Sequence, residues 1–311
     1  MHLIPPYTAQ PTNPTIEEAT RAVNAAAEEA AADPLRPVYH FLPPSNWLND
    51  PNGTIFHDGF YHVFYQQNPY SPGDGPKFWG HTRSTDLVHW EHLPIALAPS
   101  NDLGEDGCWS GCARVNSQGV PMLFYTKVNL AAGKADRFEQ WAAVSDGTWL
   151  HWHKHPKNPI LSLDRHGDPD FDPYWRDPFI FADGGRTFMV VGATGTGTPI
   201  YEAVDGTLEN WQRRGFLCDF STECPNFFKL DNWWVYLGSP FQNIHYYTGS
   251  FDPKSLKFTP QHEGILDYGD FDQSNLYASN VAFDDRGRCI LFGWVRGFQA
   301  AKGWNGCLSI P

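Results

Sequence analysis

N-W-L-N-D-P-N-G-T-I-F-H-D-G-F-Y-H-V-F-Y, residues 46–65, contains two turns and the makings of a hairpin. Asp58-Gly59 separates two runs of β-branched and aromatic residues. Such a dipeptide accepts the positive φ that a tight hairpin turn demands, and its flanks suit a pleated surface. Asp50-Pro51-Asn52-Gly53 is also turn chemistry, because proline presets φ, glycine tolerates positive φ, and Asp or Asn caps the backbone. Taken alone, it makes Asp50 a turn residue.

The hairpin recurs along the chain. ARVNSQGVPMLFYT (113–126), PFIFADGGRTFMVV (178–191), PNFFKLDNWWVYLG (225–238) and NVAFDDRGRCILFGW (280–294) each join two apolar strands through Gly, Asp or Asn. Their spacing of roughly 50 to 65 residues is that of propeller blades carrying long loops. Between them, STDLVHW (84–90), SDGTWLHW (145–152) and VDGTLENW (204–211) each place an Asp shortly before a Trp, and FDPKSLKF (251–258) varies the theme with Phe. These read as outer-blade turns whose ring packs between blades. Five hairpins with four intervening turns predict an all-β, five-bladed β-propeller over residues 37–311, since each blade buries its faces only against its neighbours. Residues 1–36 form an N-terminal extension. Its segment 15–32 predicts a helix, with a Thr15–Glu18 capping box and a stop at Asp33-Pro34.

Composition narrows the partners. The chain has 35 acidic and 22 basic side chains, a net charge of −13, which argues against nucleic acid and anionic membrane surfaces. No apolar run approaches the ~18 residues of a membrane span. The first residues, MHLIPPYTAQPTNP, show neither a basic n-region nor an apolar h-region, so a cytoplasmic location is expected, or a secreted one if a leader was removed. Six cysteines without a C-x-x-C pair read as reduced thiols. Acids beside 13 tryptophans suit a small carbohydrate, although most of those rings belong to a β core.

Propeller topology returns the argument to Asp50. The inner strand of each blade lines the central channel, so a residue just ahead of it stands at the channel mouth. Asp50, Asp177 (R-D-P-F) and Glu223 (E-C-P-N-F) precede the inner strands of hairpins one, three and four, each with proline within two residues. Hairpins two and five have W-S-G (109–111) and N-L-Y-A-S (275–279) at that place. Three acids in register are expected to converge on one axial pocket. Cleaving a glycosidic bond needs such a set: one carboxylic acid to protonate the leaving oxygen, and one carboxylate to attack the anomeric carbon or activate water. A third carboxylate can stabilise the oxocarbenium-like transition state, and clustering raises pKa values so that one group stays protonated. A Ca²⁺ or Mg²⁺ site is the rival use of clustered carboxylates. Arg176 beside Asp177 argues against it, and neither metal nor cofactor is expected.

Other motifs have plainer readings. HWHKH (151–155) puts three histidines on one face of a strand, read as a solvated outer strand rather than a metal site. DRHGDPDFDP (164–173) lacks the EF-hand spacing and reads as the loop into Trp175-Arg176-Asp177. GATGTG (192–197) opens no helix and reads as a loop.

Around the three acids the chain resembles glycoside hydrolase family 32, the β-fructofuranosidases. The resemblance is carried by NWLNDPNG, WRDP and EC, with YHVFYQQNP (61–69), WGHTRSTDLVHW (79–90), CWSGCA (108–113), LYAS (276–279) and GWNGCLSIP (303–311) in the same order. It implies a retaining β-fructosidase that cleaves sucrose or short fructans through a covalent fructosyl-enzyme. Asp50 would be the nucleophile, Glu223 the general acid/base and Asp177 the transition-state stabiliser. Asn49, Gln66, Trp79, Trp109, Ser110 and Arg176 would shape the fructosyl pocket, with Trp47 near its rim and Cys224 flanking the acid/base. The alternatives are a fructosyltransferase of the same family, an inverting five-bladed hydrolase of the arabinanase type, and a non-catalytic sugar-binding propeller. Family members usually continue past the S-I-P block into a β-sandwich, expected to be absent here. The fifth blade should then lack its outermost strand and leave an edge that favours homo-oligomers. Cys112 stands where many family members carry serine.

Overall fold

The computed structural model describes residues 14–132, 137–167, 171, 174–269, 276–296 and 303–311. The first thirteen residues, Asn275 and five residues of the acid-rich loop (168–170, 172 and 173) lie outside the described set.

Five sheets follow one another in chain order. Blade 1 holds β1 (Asn46–His57), β2 (Phe60–Asn68), β3 (Phe78–Ser84) and β4 (Glu91–Leu97). Blade 2 holds β5 (Gly107–Val115), β6 (Pro121–Val128), β7 (Phe138–Ser145) and β8 (Trp152–Lys154). Blade 3 runs through β9 (Arg176–Asp183), β10 (Arg186–Gly192), β11 (Thr198–Ala203) and β12 (Trp211–Cys218). Blade 4 runs through β13 (Glu223–Leu230), β14 (Trp233–Ser239), β15 (His245–Asp252) and β16 (Lys257–Ile265). Blade 5 has β17 (Leu276–Phe283) and β18 (Cys289–Val295), to which β20 (Cys307–Leu308) is added. The expected hairpins are β1–β2, β5–β6, β9–β10, β13–β14 and β17–β18.

Neighbouring blades cover both faces of these strands, so the second strand is buried along most of its length in blades 1 to 4, polar residues included. Every residue of β6 is buried. The widest core patch stacks Phe181, Phe188, Phe227, Trp234 and Phe251 between blades 3 and 4. The second sequence repeat forms the β3–β4, β7–β8, β11–β12 and β15–β16 turns. In each an Asp carboxylate accepts a backbone N–H two residues on: Asp86 from Val88, Asp146 from Thr148, Asp205 from Thr207 and Asp252 from Lys254. That turn lets Leu87, Trp149, Leu208 and Leu256 adopt positive φ of 58° to 66°, and the last three are buried.

Closure links the two ends of the described chain. β19 (Trp304–Asn305) pairs parallel with Asn46-Trp47 of β1, while β20 pairs with Trp294-Val295 of β18. The N–H of Leu308 also donates to the Phe41 carbonyl. Among the described residues blade 5 has three strands, and no strand pairs with the outer edge of β18 from Cys289 to Phe292. A short fifth blade was the expectation.

The N-terminal helix comes in two pieces, α1 (Ile16–Ala25) and α2 (Ala27–Ala31), with both capping-box hydrogen bonds formed at 3.1 Å. Nothing in the sequence marks the break. It is a tightened turn at Ala26 (φ −93°, ψ −2°). α1 lays Ala19 and Val23 on Phe78, Ile95 and Ala98 of blade 1. α2 brings Ala30 against Trp304, whose Nε1–H donates to Asp33 at 3.1 Å.

Candidate active site

Every inner strand opens with a β-bulge, between Leu48 and Pro51, Trp109 and Gly111, Arg176 and Phe179, Glu223 and Asn226, and Tyr277 and Asn280. A bulge bends the strand and re-aims its side chains. In blades 3 to 5 it places Asp177, Cys224 and Ala278 at φ of 63°, 47° and 49°, a region costing about 1–3 kcal/mol for residues other than glycine. The neighbours hold each strained residue by its N–H. Asp177 donates to Thr126 Oγ1 (2.8 Å), Cys224 to Asp177 Oδ2 (3.0 Å) and Ala278 to Ser239 Oγ (3.0 Å).

This register corrects the expectation of three equivalent acids. Arg176 pairs with Gly192 as Glu223 pairs with Ser239 and Tyr277 with Trp294. Glu223 therefore occupies the place of Arg176, and the counterpart of Asp177 is Cys224. The acids still reach one mouth, but from different steps of the bulge.

Around Asp50 the partners come from blades 1, 2 and 4. Ser110 Oγ–H donates to Oδ2 at 2.5 Å and Asn49 Nδ2–H to Oδ1 at 3.0 Å. Gln66 ties these donors together, accepting from Asn49 (2.6 Å) and donating to Ser110 (2.8 Å). Trp47 Nε1–H fixes the Asn49 carbonyl at 3.0 Å. The Cys224 thiol lies 3.7 Å from both Asp50 Oδ2 and Asp177 Oδ2, so it sits between the two aspartates rather than only beside Glu223.

The Glu223 charge acts on both Asp50 and Asp177, as three convergent acids require, and in addition the Arg176 guanidinium donates to its Oε1 and the Tyr277 hydroxyl to its Oε2. Arg176 is buried and its Nε lies 3.7 Å from Asp177, so one cation spans two carboxylates. Its guanidinium carbon has four rings within 6.0 Å: Trp109, Phe138, Tyr174 and Phe241. Trp109 and Trp47 are partly exposed at the mouth, the latter edge-on to Trp294. Trp79 is fully buried, and its Nε1–H supports the Trp109 carbonyl at 3.2 Å. It acts on the pocket through Trp109.

Electrostatics follow from this enclosure. Burial pushes the Asp50 carboxyl above its ordinary value, opposed by the Ser110 and Asn49 hydrogen bonds and by the Lys77 charge. Burial also raises Asp177 to about 7, although Arg176 pulls the other way. Burial lowers Lys77 to about 8, partly offset by Asp50. The Cys224 thiol is driven up by burial and by the carboxylates around it, which keeps it protonated.

Sequence reasoning missed Tyr277, Thr126 and Lys77. Tyr277 lies inside the L-Y-A-S block that marks the mouth of blade 5, and that was its signal. Lys77 is bonded to Asp74 and lies 5.6 Å from the Trp47 ring, a contact made by a loop with no motif of its own. In the H-W-H-K-H run, His151 and His153 are exposed on β8 or beside it, while His155 is buried against Glu209 at 3.2 Å. Among the described residues no group of three His, Cys, Asp or Glu is arranged to hold a metal ion. GATGTG is the loop between β10 and β11.

The model of the glycosyl hydrolases family 32 N-terminal domain matches residues 40–311. A sucrose-6-phosphate hydrolase of Zymomonas mobilis is 33% identical over 343 residues, covering 97% of this chain and 64% of the relative. A fructan 6-exohydrolase of Beta vulgaris is 32% identical, covering 90% and 52%. The solved structure of a GH32 beta-fructofuranosidase from Bombyx mori superposes with a TM-score of 0.79 at 29% identity, covering 94% of this chain and 66% of that one. The chain thus spans about half to two thirds of the length of these relatives.

Proposed function

The chain belongs to glycosyl hydrolase family 32, and from that premise we propose that it is a retaining β-fructosidase acting on sucrose or short fructans. In this reading Asp50 attacks the anomeric carbon of the fructosyl unit, while Glu223 protonates the departing glycosidic oxygen. Glu223 then takes a proton from the water that releases fructose. Asp177 accepts hydrogen bonds from fructose hydroxyls as positive charge grows on the ring.

One observation carries the reading: two side chains link all three acids. Cys224 touches Asp50 and Asp177, and Arg176 touches Asp177 and Glu223. Such fixed partners hold reacting groups in place before substrate arrives, which is how preorganised sites lower a barrier. Asn49 and Ser110 oppose the effect of burial on Asp50 and favour the carboxylate that attack requires.

Sucrose, inulin and an arabinan are the substrates to compare, with released monosaccharide as the readout. Fructose from the first two, appearing as the β-anomer by NMR before mutarotation, is the expected result. Initial α-fructose would mean direct attack by water. Release from arabinan alone would move the protein to another reaction, and no release at all would leave a binding protein.

A further inference from the structure

The four rings around Arg176 differ in what covers them. Trp109, Phe138 and Tyr174 form a continuous bank, with successive centroids 5.6 Å and 6.3 Å apart, and Phe138 in its middle is buried. Phe241, in the turn between β14 and β15, is 60% exposed. It lies over the Arg176 guanidinium, 5.9 Å from the ring centroid, and among the described residues no other aromatic ring packs on it.

The backbone of Phe241 is unusual as well. Its φ is 60°, a region that bulky residues seldom occupy, and Ser239-Pro240-Phe241-Gln242-Asn243 contains no glycine to take that conformation instead. Its N–H donates to the Tyr277 hydroxyl at 3.2 Å, and the same hydroxyl bonds Glu223. The residue is thus anchored two hydrogen bonds from the acid that protonates the leaving oxygen, so the leaving group emerges beside it. An exposed aromatic face has a use at that place, because the axial C–H bonds of a pyranose lie flat on such a ring. In sucrose the leaving group is a pyranose, bonded to the leaving oxygen directly through a ring carbon. In a fructan it is a furanose bonded through a CH₂ group, whose extra rotation must be frozen before the sugar can settle on a wall.

We infer that Phe241 is a specificity-determining residue that favours pyranosyl leaving groups, and therefore sucrose over fructans. The inference rests on the fructosidase reading and narrows it.

Sucrose and inulobiose carry the same fructosyl unit and differ only in the leaving group. The protein should have the higher kcat/KM for sucrose. In Phe241→Ala that preference should fall by about five- to tenfold, the worth of one good aromatic contact, mostly through a higher KM for sucrose. Comparing the ratio between variants cancels the intrinsic difference in leaving ability. Phe241→Trp, which keeps a flat ring, should retain the preference, and circular dichroism and melting confirm that both variants are folded. A merely structural role would lower both substrates alike. That outcome, or a parent protein that cleaves inulobiose as well as sucrose, would overturn the inference. If neither disaccharide is cleaved, the fructosidase reading fails on its own account, and calorimetry on the same proteins decides the selection. Tighter binding of sucrose than of inulobiose, lost in Phe241→Ala, would sustain it; equal or absent binding would overturn it.

Discussion

The two ends of the channel are built from the same strands by opposite means. β13 begins with Glu223-Cys224 and ends with Lys229-Leu230; β9 begins with Arg176-Asp177 and ends with Ala182-Asp183. At the acid end the inner strands are bulged, Asp177, Cys224 and Ala278 have positive φ, and each acid is bonded to side chains of other blades. At their ends the ladders are regular, with Asp183 closing β9 and Lys229 next to last in β13. Strained backbone and crossed hydrogen bonds are what the acid end adds to a plain propeller, and they are where its chemistry should reside.

The strongest test of that contrast is Asp50→Asn. Turnover of sucrose should fall by about 10⁴-fold with the fold intact, the scale seen when one member of a catalytic set is lost. Near-normal hydrolysis would break the assignment of the acid end. Glu223→Gln should lower turnover by about 10²- to 10⁴-fold on sucrose and much less on a fructoside with a good leaving group, which needs little protonation. An equal loss on both would point to a structural role.

Tyr277→Phe removes a hydroxyl that bonds Glu223. A hydrogen bond to a charged group is worth about 1.5–3 kcal/mol, so kcat/KM should drop roughly ten- to a hundredfold. The loss should again be greatest for poor leaving groups, a pattern that simple misfolding would not produce. Ser110→Ala takes a donor from Asp50, which raises its pKa. A nucleophile that must be ionised then loses activity first at low pH, so the acid limb of kcat/KM should move to higher pH. Lys77→Met should move it the same way but less, because the Lys77 charge is the weaker influence on Asp50. A shift to lower pH in either variant would contradict the electrostatic account.

The smallest effect concerns stability. The folded Asp177 pKa, about 7, lies above its ordinary value of 3.8, so the folded state holds the extra proton in between. Stability from this group is present at low pH and is lost as pH rises through that window. Asp177→Asn should therefore raise the melting temperature by a few degrees, more at pH 7 than at pH 5. Equal shifts at both pH values would mean that Asp177 is not held against its preferred charge.

Local chemistry was legible and long-range register was not. The Asp-Gly and Asn turns announced the hairpins, and the Asp-before-Trp repeat announced the outer turns, because both depend on a few adjacent residues. A bulge is decided by pairing with another strand, so nothing in E-C-P-N told that Glu223 stands where Arg176 stands in blade 3. The same reason hid Tyr277 behind Glu223 and made Trp79 look like a pocket residue, since its route to the mouth runs through Trp109. The break at Ala26 was invisible because alanine favours both halves equally.

The closure at β19 also imposes an order on biosynthesis. The strand that carries Asp50 leaves the ribosome early, yet its parallel partner, Trp304-Asn305, is translated only after the other four hairpins. Asp33 and Ala30 wait for the same tryptophan. Blade 1 is thus begun first and completed last. A ribosome stalled anywhere before residue 304 holds a chain whose ring cannot shut, and release between residues 223 and 304 yields a polypeptide with all three acids present and the start of β1 left unpaired on that side.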